Sequence, residues 1–274
     1  MNLLQRIARS DSPKLERPFR AIFGYMLQSA GWSDRIRLKR FQYRVPFFSR
    51  SNVALTLWVN PNVVDRAEEF AYDFLRPGDT VVDVGANIGC VTAAASLAVG
   101  DQGRVISVEA HPRTFRYLQK TIAINPCCSN VTSLNVAVGA KPGMLSFSDE
   151  KRKDDNNRVS LSEDTGIRVP CRPLTDILSE QAVSHVRLLK VDVEGFEMEV
   201  LRGAESILAN VDCLYVEVLE HTLNRFGSSV NELIDFLEGH GFRCFRFKDD
   251  DLNLVAFSAG ESLQRWQAEL TPAR

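Results

Sequence analysis

The sequence contains no run of roughly 18 apolar residues, so it predicts no transmembrane helix. Its first residues, Met1–Arg9, lack the apolar stretch and small-residue cleavage site of a signal peptide. None of its six cysteines forms a Cys-x-x-Cys pair, and several lie in apolar strand patterns. We therefore expect a cytoplasmic protein whose cysteines are reduced core residues, including Cys90 at a predicted helix N-terminus.

The sequence also lacks the Gly-x-Gly-x-x-Gly turn of dinucleotide-binding folds, but it carries a different glycine turn. Residues 79–89 read Asp-Thr-Val-Val-Asp-Val-Gly-Ala-Asn-Ile-Gly, which predicts a buried β-branched strand, a tight turn and a helix over 88–97. The helix N-terminus would point its free N–H groups at a ligand in the turn. The turn predicts nucleotide binding, with Asp83, Gly85, Ala86, Asn87 and Gly89 as cofactor-binding candidates.

A second acid follows at the distance that ribose recognition requires. The predicted strand 104–108 ends at Glu109, twenty residues after Gly89. There the carboxylate can accept hydrogen bonds from both hydroxyls of a ribose. An ordinary solvated acid is the weaker interpretation, because acid, turn and second acid stand in strand-turn-helix-strand order. Ala137, in the predicted strand 131–138, is the remaining cofactor-binding candidate.

The wider pattern alternates strands and helices, which predicts an α/β fold. Further helices are expected over 112–125, from 175, over 197–208 and over 230–239, and further strands over 186–191 and 213–219. Segments 242–247 and 253–258 are joined by a loop that suits an antiparallel hairpin. The N-terminal part predicts helices over 3–8, 18–29 and 63–75 and strands over 37–43 and 53–58. We expect an extension or cap over 1–75, a main domain over 76–260 and a tail over 261–274.

Charge is distributed unevenly. Residues 1–50 contain 11 Lys or Arg and 3 Asp or Glu, so their net charge is +8 and that of the other residues is −10. Such an extension can contact nucleic acid, anionic lipid or an acidic substrate. A solvated cap that complements the acidic body is an equally good interpretation. The polar stretch 148–166 predicts an active-site lid, with a surface excursion as the alternative.

Three motifs together resemble the FkbM family of S-adenosylmethionine-dependent methyltransferases. They are Asp-Val-Gly-Ala-Asn-Ile-Gly (83–89), Val-Glu-Ala-His-Pro (108–112), and Leu-Lys-Val-Asp-Val-Glu-Gly-Phe-Glu (189–197) with Val-Leu-Arg-Gly-Ala (200–204). The resemblance implies a Rossmann-like class I methyltransferase fold, with a mostly parallel seven-stranded sheet that ends in a C-terminal antiparallel hairpin. It also implies S-adenosyl-L-methionine as cofactor and a hydroxyl acceptor on a sugar, glycoconjugate or other secondary metabolite.

Acids near the carboxyl ends of later strands are the catalytic candidates, because open α/β sheets bind ligands there. Asp192 and Glu194 follow the strand over 186–191, Glu217 lies within the next strand, and His221 follows it. Asp192 could instead pair with Lys190 or cap the following helix, and these alternatives stay open. The acids are hard oxygen ligands, but their spacing specifies no metal, and none is assigned.

We therefore predict a methyltransferase with a small-molecule or glycan acceptor. An N-methyltransferase and a non-catalytic binding protein with a nucleotide fold are the alternatives. Nucleic acid is not favoured as a partner, peripheral contact with an anionic surface through the basic N-terminus is allowed, and the oligomeric state is open.

Overall fold

The computed structural model describes residues 17–63, 65–148, 158–160, 166–261 and 265–274. The predicted helix over 3–8 lies outside these residues. The N-terminal part contains α1 (Pro18–Ser29), β1 (Arg37–Arg40), β2 (Tyr43–Pro46), α2 (Asn52–Val59) and α3 (Arg66–Phe74). The strand predicted over 53–58 is wrong, because these residues form α2. Ser51 caps the N-terminus of this helix, because its hydroxyl accepts a hydrogen bond from the backbone N–H of Ala54 at 2.8 Å.

From residue 80 onward strands and helices alternate as predicted, except that four of the described strands follow one another between residues 131 and 172 and the last three strands follow one another from residue 242. These elements are β3 (Thr80–Val84), α4 (Cys90–Val99), β4 (Arg104–Val108), α5 (Pro112–Ala123), β5 (Val131–Leu134), β6 (Ala137–Val138), β7 (Gly143–Phe147), β8 (Ile167–Arg172), α6 (Leu174–Glu180), β9 (Val186–Val191), α7 (Glu197–Gly203), β10 (Val211–Glu217), α8 (Glu220–Leu223), α9 (Val230–Gly239), β11 (Phe242–Phe247), β12 (Asp250–Ser258) and β13 (Leu270–Pro272). Within the described ranges, no helix has the length and apolar character needed to cross a membrane.

The main sheet has the strand order β13-β11-β12-β10-β9-β3-β4-β5. Strands β10, β9, β3, β4 and β5 are parallel to one another, and β12 pairs antiparallel with β10 and with β11. This confirms the predicted α/β class with a mostly parallel sheet. In the described residues the sheet has eight strands, where the sequence predicted seven ending in the hairpin, because β13 adds an edge strand beyond β11. The edge strand β13 pairs with β11 and lies in the segment that the sequence assigned to a tail.

Two further predicted elements are divided in the structure. The strand expected over 131–138 becomes β5 in the main sheet and β6 in a separate three-stranded sheet, β6-β8-β7. The helix expected over 197–208 ends at Gly203, and a 3₁₀ helix over Glu205–Asn210 follows it. Most of the polar stretch 148–166 lies outside the described residues, although Val159 within it pairs with Phe147.

The N-terminal part packs against the main domain. Its aromatic side chains Tyr43, Phe47 and Phe48 share a buried cluster with Ile88 and with alanines of α4. Phe48 also stacks on a ring of α5, that of Tyr117, with 4.2 Å between ring centroids. The cap therefore lies beside the glycine turn that precedes α4, which makes it part of the wall around the candidate site.

Candidate functional site

The glycine turn between β3 and α4 packs tightly against the segment that follows β9. Gly85 has a φ of +79°, and a Cβ added there would lie 1.8 Å from the carbonyl oxygen of Asp192. Asn87 adopts the left-handed conformation, with φ +50°, which asparagine tolerates better than most residues. Gly89, also left-handed, begins α4. Only glycine fits at residue 85, and this close contact brings the turn and the Asp192 segment to one place.

Glu109 lies at the end of β4 and is bound to the same turn. One carboxylate oxygen accepts the backbone N–H of Asn87 and the other that of His111, both at 2.9 Å. The residue is 8% exposed and lines a cavity of about 620 Å³. Burial raises the pKa of Glu109 to about 7, although the two backbone N–H groups lower it. Each oxygen still has a lone pair for a hydroxyl donor, so the site fits a ribose diol.

A buried lysine connects the turn to the two acids nearest to it. The ammonium of Lys190 donates to the carbonyl oxygen of Gly85 at 2.9 Å and lies 3.4 Å from Asp83 and 3.3 Å from Asp192. Burial opposes its charge, but the carboxylates of Asp192 and Asp83 raise the pKa of Lys190. Asp83 is fully buried, accepts a hydrogen bond from Thr92 at 2.6 Å and does not line the cavity. Asp192 does line the cavity, so the ammonium of Lys190 forms one ion pair with a buried acid and another with an accessible acid.

Three of the four catalytic candidates lie together. Carboxylate oxygens of Asp192, Glu194 and Glu217 lie within 4.8 Å of one another, and all three residues line the cavity. Burial, with the neighbouring carboxylates of Asp192 and Glu194, raises the pKa of Glu217 to about 10. Such oxygens could also hold a divalent cation. His221, the fourth candidate, is exposed on α8 and is not among the lining residues.

The sequence analysis gave no role to Glu197, which shapes the loop that carries two of these acids. One of its oxygens accepts the N–H groups of Val193, at 3.1 Å, and Gly195, at 3.0 Å. The residue is 1% exposed, and burial raises the pKa of Glu197 to about 7. Its position at the end of the motif Asp-Val-Glu-Gly-Phe-Glu, four residues after Val193, was the only available signal.

Residues from two distant segments complete the cavity wall. The cap contributes Arg40, Thr56, Leu57, Val63, Asp65 and Glu68, and the hairpin contributes Asp250, Leu252 and Asn253. Glu68 is held by Arg40, at 2.8 Å, and by the hydroxyl of Tyr43, at 2.5 Å. The cofactor candidates Ala86 and Ala137 also line the cavity. Cys90 is half-buried and also lines the cavity, and burial raises the pKa of its thiol.

The comparisons with known proteins agree with this geometry. A family model described as the methyltransferase FkbM domain matches residues 83–244, more than half of the chain. The 31-O-demethyl-FK506 methyltransferase FkbM of Streptomyces tacrolimicus is 26% identical, over 61% of this chain and 74% of its own length. The hexuronic acid methyltransferase AglP of Haloferax volcanii is 27% identical, over 51% of this chain and 56% of its own.

The chain thus spans between 56% and 74% of the length of the curated relatives that it matches. Among solved structures, fibrillarin from Aeropyrum pernix, in complex with S-adenosyl-L-methionine, matches with a TM-score of 0.42 and 16% identity. That match covers 67% of each chain, and its TM-score is too low to bear on function.

Proposed function

Because the chain belongs to the family with a methyltransferase FkbM domain, whose cofactor is S-adenosylmethionine, we propose that it transfers the cofactor's methyl group to a hydroxyl oxygen. The acceptor that we propose is an uncharged hydroxyl of a sugar, glycoconjugate or other secondary metabolite. One observation carries the proposal: a single cavity is lined both by the glycine turn with Glu109 and by the acid cluster. Methyl transfer needs such a shared space, because donor and acceptor must meet nearly in line.

Glu109 and the turn from Gly85 to Gly89 would hold the nucleoside part of the cofactor. Both carboxylate oxygens of Glu109 already accept one backbone N–H each, which fixes their direction. Seven Asp or Glu residues and three Lys or Arg residues line the cavity, and the acids stay in excess when Glu217 is protonated. This excess suits a ligand with a positive sulfonium. When bound, the cofactor supplies an electrophilic methyl group.

Asp192 is the residue that we propose to accept the proton of the acceptor hydroxyl. The ammonium of Lys190, 3.3 Å away, forms an ion pair with this carboxylate and restrains its position. An alcohol is too weak an acid to lose its proton beforehand, so proton removal accompanies transfer and positioning contributes as much as basicity. Glu217, whose pKa of about 10 keeps it protonated at neutral pH, can donate a hydrogen bond that orients the acceptor.

The acidic lining favours a hydroxyl over an amine as acceptor. Carboxylates near an amine stabilise its ammonium form, which has no lone pair to attack a methyl group. A hydroxyl is uncharged and is not affected in this way. The same lining disfavours an acceptor with its own carboxylate, because like charges repel. The relative named for hexuronic acid would then differ from this chain in its acceptor.

Titration calorimetry followed by a transfer assay tests the proposal. We expect the full chain to bind S-adenosylmethionine and not NAD. With methyl-labelled cofactor, we expect label on a neutral glycoside, and less on the matched hexuronic acid and amino sugar. Label on the amine alone would support the N-methyltransferase alternative. Absence of cofactor binding would leave the non-catalytic binding protein as the better interpretation.

A further inference from the structure

Helix α1 has an apolar face that points away from the protein. Its residues Phe19, Ile22, Phe23 and Met26 are 87%, 50%, 52% and 62% exposed. They follow the spacing i, i+3, i+4, i+7, so they lie on one side of the helix and form a continuous stripe. Trp32, just after the helix, is 66% exposed. Exposure of such an apolar stripe to water is unfavourable, so we expect it to bind a partner.

The opposite side of α1 is the one that packs on the protein, which fixes the direction of the stripe. Gly24 is buried, and a Cβ added there would lie 2.6 Å from the ring of Trp58 in α2. The buried side chain of Gln28 donates to the carbonyl oxygens of Phe48 and Ser51, both at 2.8 Å. Within the described part of the chain, α1 is therefore held firmly on one side while its other side exposes the apolar stripe.

The segment that carries the stripe is strongly basic. Residues 17–50 contain eight Lys or Arg and a single Asp, a net charge of +7. Arg17 and Arg20 are exposed at the start of α1, and Arg35, Arg37 and Lys39 are exposed soon after it. An apolar stripe flanked by basic residues and a tryptophan is the pattern of helices that lie in the surface of an anionic bilayer.

We propose that α1 docks this protein on an anionic membrane surface, with Phe19, Ile22, Phe23 and Met26 inserted among the lipids and the basic residues against the headgroups. Two other partners fit less well. A second copy would bring two segments of like charge together, and nucleic acid offers no apolar surface to the stripe. The helix has 12 residues, which is too short to span a bilayer, so it lies in the interface. This inference does not depend on the proposed enzyme activity.

Vesicle co-sedimentation of the full chain provides the test. We expect binding to vesicles of phosphatidylcholine mixed with phosphatidylglycerol, little binding to phosphatidylcholine alone, and weaker binding as salt increases. Replacing Phe19, Phe23 and Met26 by glutamine, which keeps helix propensity, should lower the partition coefficient about tenfold or more. The matched control is Met144→Gln in β7, where the side chain is 49% exposed, and it should bind as wild type.

A second variant, with Arg35, Arg37 and Lys39 changed to glutamine, should lose the preference for anionic vesicles. Thermal unfolding must show that both variants are folded. Equal binding to the two vesicle types, or unchanged binding by the apolar variant, would overturn the proposal. A wild-type dimer that the apolar variant converts to a monomer would assign the stripe to a second copy. Vesicle binding that appears only after removal of residues 1–16 would assign that segment as the partner of the stripe. Either of these two results overturns the proposal.

Discussion

Replacing Glu109 by glutamine is the sharpest test of the cofactor assignment. The two carboxylate oxygens accept the N–H groups of Asn87 and His111 at 2.9 Å. Glutamine keeps a single acceptor oxygen, so one expected ribose hydroxyl loses a charged partner. A hydrogen bond to a charged group contributes about 1.5–3 kcal/mol, so we expect the Kd for S-adenosylmethionine to rise about 10- to 150-fold. The alanine variant is less informative, because it removes the acceptor for both amides.

The same variant should change the pH dependence of binding. The proposed ribose contacts would require an ionised carboxylate, and burial raises the pKa of Glu109 to about 7. The wild-type Kd should therefore rise as pH falls below about 7, by at most about tenfold per pH unit, and the variant should lose this dependence. Since the ordinary pKa of a glutamate side chain is 4.5, the folded protein binds more protons than the unfolded chain between pH 4.5 and about 7. This group therefore lowers the stability of the unliganded protein as pH rises through that window.

Titration calorimetry between about pH 6 and pH 8 measures both the rise in Kd and its dependence on pH. Glu197→Gln is the matched control, because Glu197 is also a buried acid with a pKa raised by burial to about 7. Its two backbone N–H partners share one oxygen, which glutamine can keep, and it does not line the cavity. The control should bind S-adenosylmethionine as wild type does. A folded Glu109→Gln protein with wild-type affinity, or equal weakening in the control, would refute the ribose assignment.

Three further changes test the acid cluster and the packing around it. Asp192→Asn should lower turnover by roughly 10² to 10⁴ with nearly unchanged cofactor affinity, as single-turnover kinetics and calorimetry would show; normal turnover would return Asp192 to a structural role. Gly85→Ala should lower the free energy of unfolding in urea by about 2–5 kcal/mol, since the added Cβ would collide with the carbonyl oxygen of Asp192. The control Gly78→Ala, where φ is +92° but the space is open, should lower it by only about 1–2 kcal/mol. Tyr43→Phe removes the hydroxyl that donates to Glu68, and a loss of about 1–3 kcal/mol is expected; an unchanged melting temperature would contradict this.

The main domain could be predicted because its sequence patterns are local. Runs such as Val-Val-Asp-Val in β3 predict buried parallel strands, and the short loop after β11 leaves room only for a hairpin. Each of these signals lies within a few residues of the element that it predicts.

The errors occur where local patterns are ambiguous or short. The sequence of residues 53–58, Val-Ala-Leu-Thr-Leu-Trp, is compatible with a buried strand or a buried helix. The Ser51 cap and tertiary packing stabilise the helix α2. Strand β13 has three residues, which is too few for any periodicity. The docking of the cap beside the cavity depends on contacts such as Phe48 with Tyr117, and no sequence pattern indicates contacts at that separation.

The contacts of Lys190 explain why the sequence motif around Asp192 predicted the position of the site better than the role of each acid. The sequence analysis treated an ion pair between Lys190 and Asp192 as an alternative to a catalytic role for Asp192. The structure contains the ion pair, and Asp192 nevertheless keeps 41% of its side chain exposed while lining the cavity. The ion pair therefore restrains Asp192 beside the cavity and is compatible with the catalytic role that we propose for this residue.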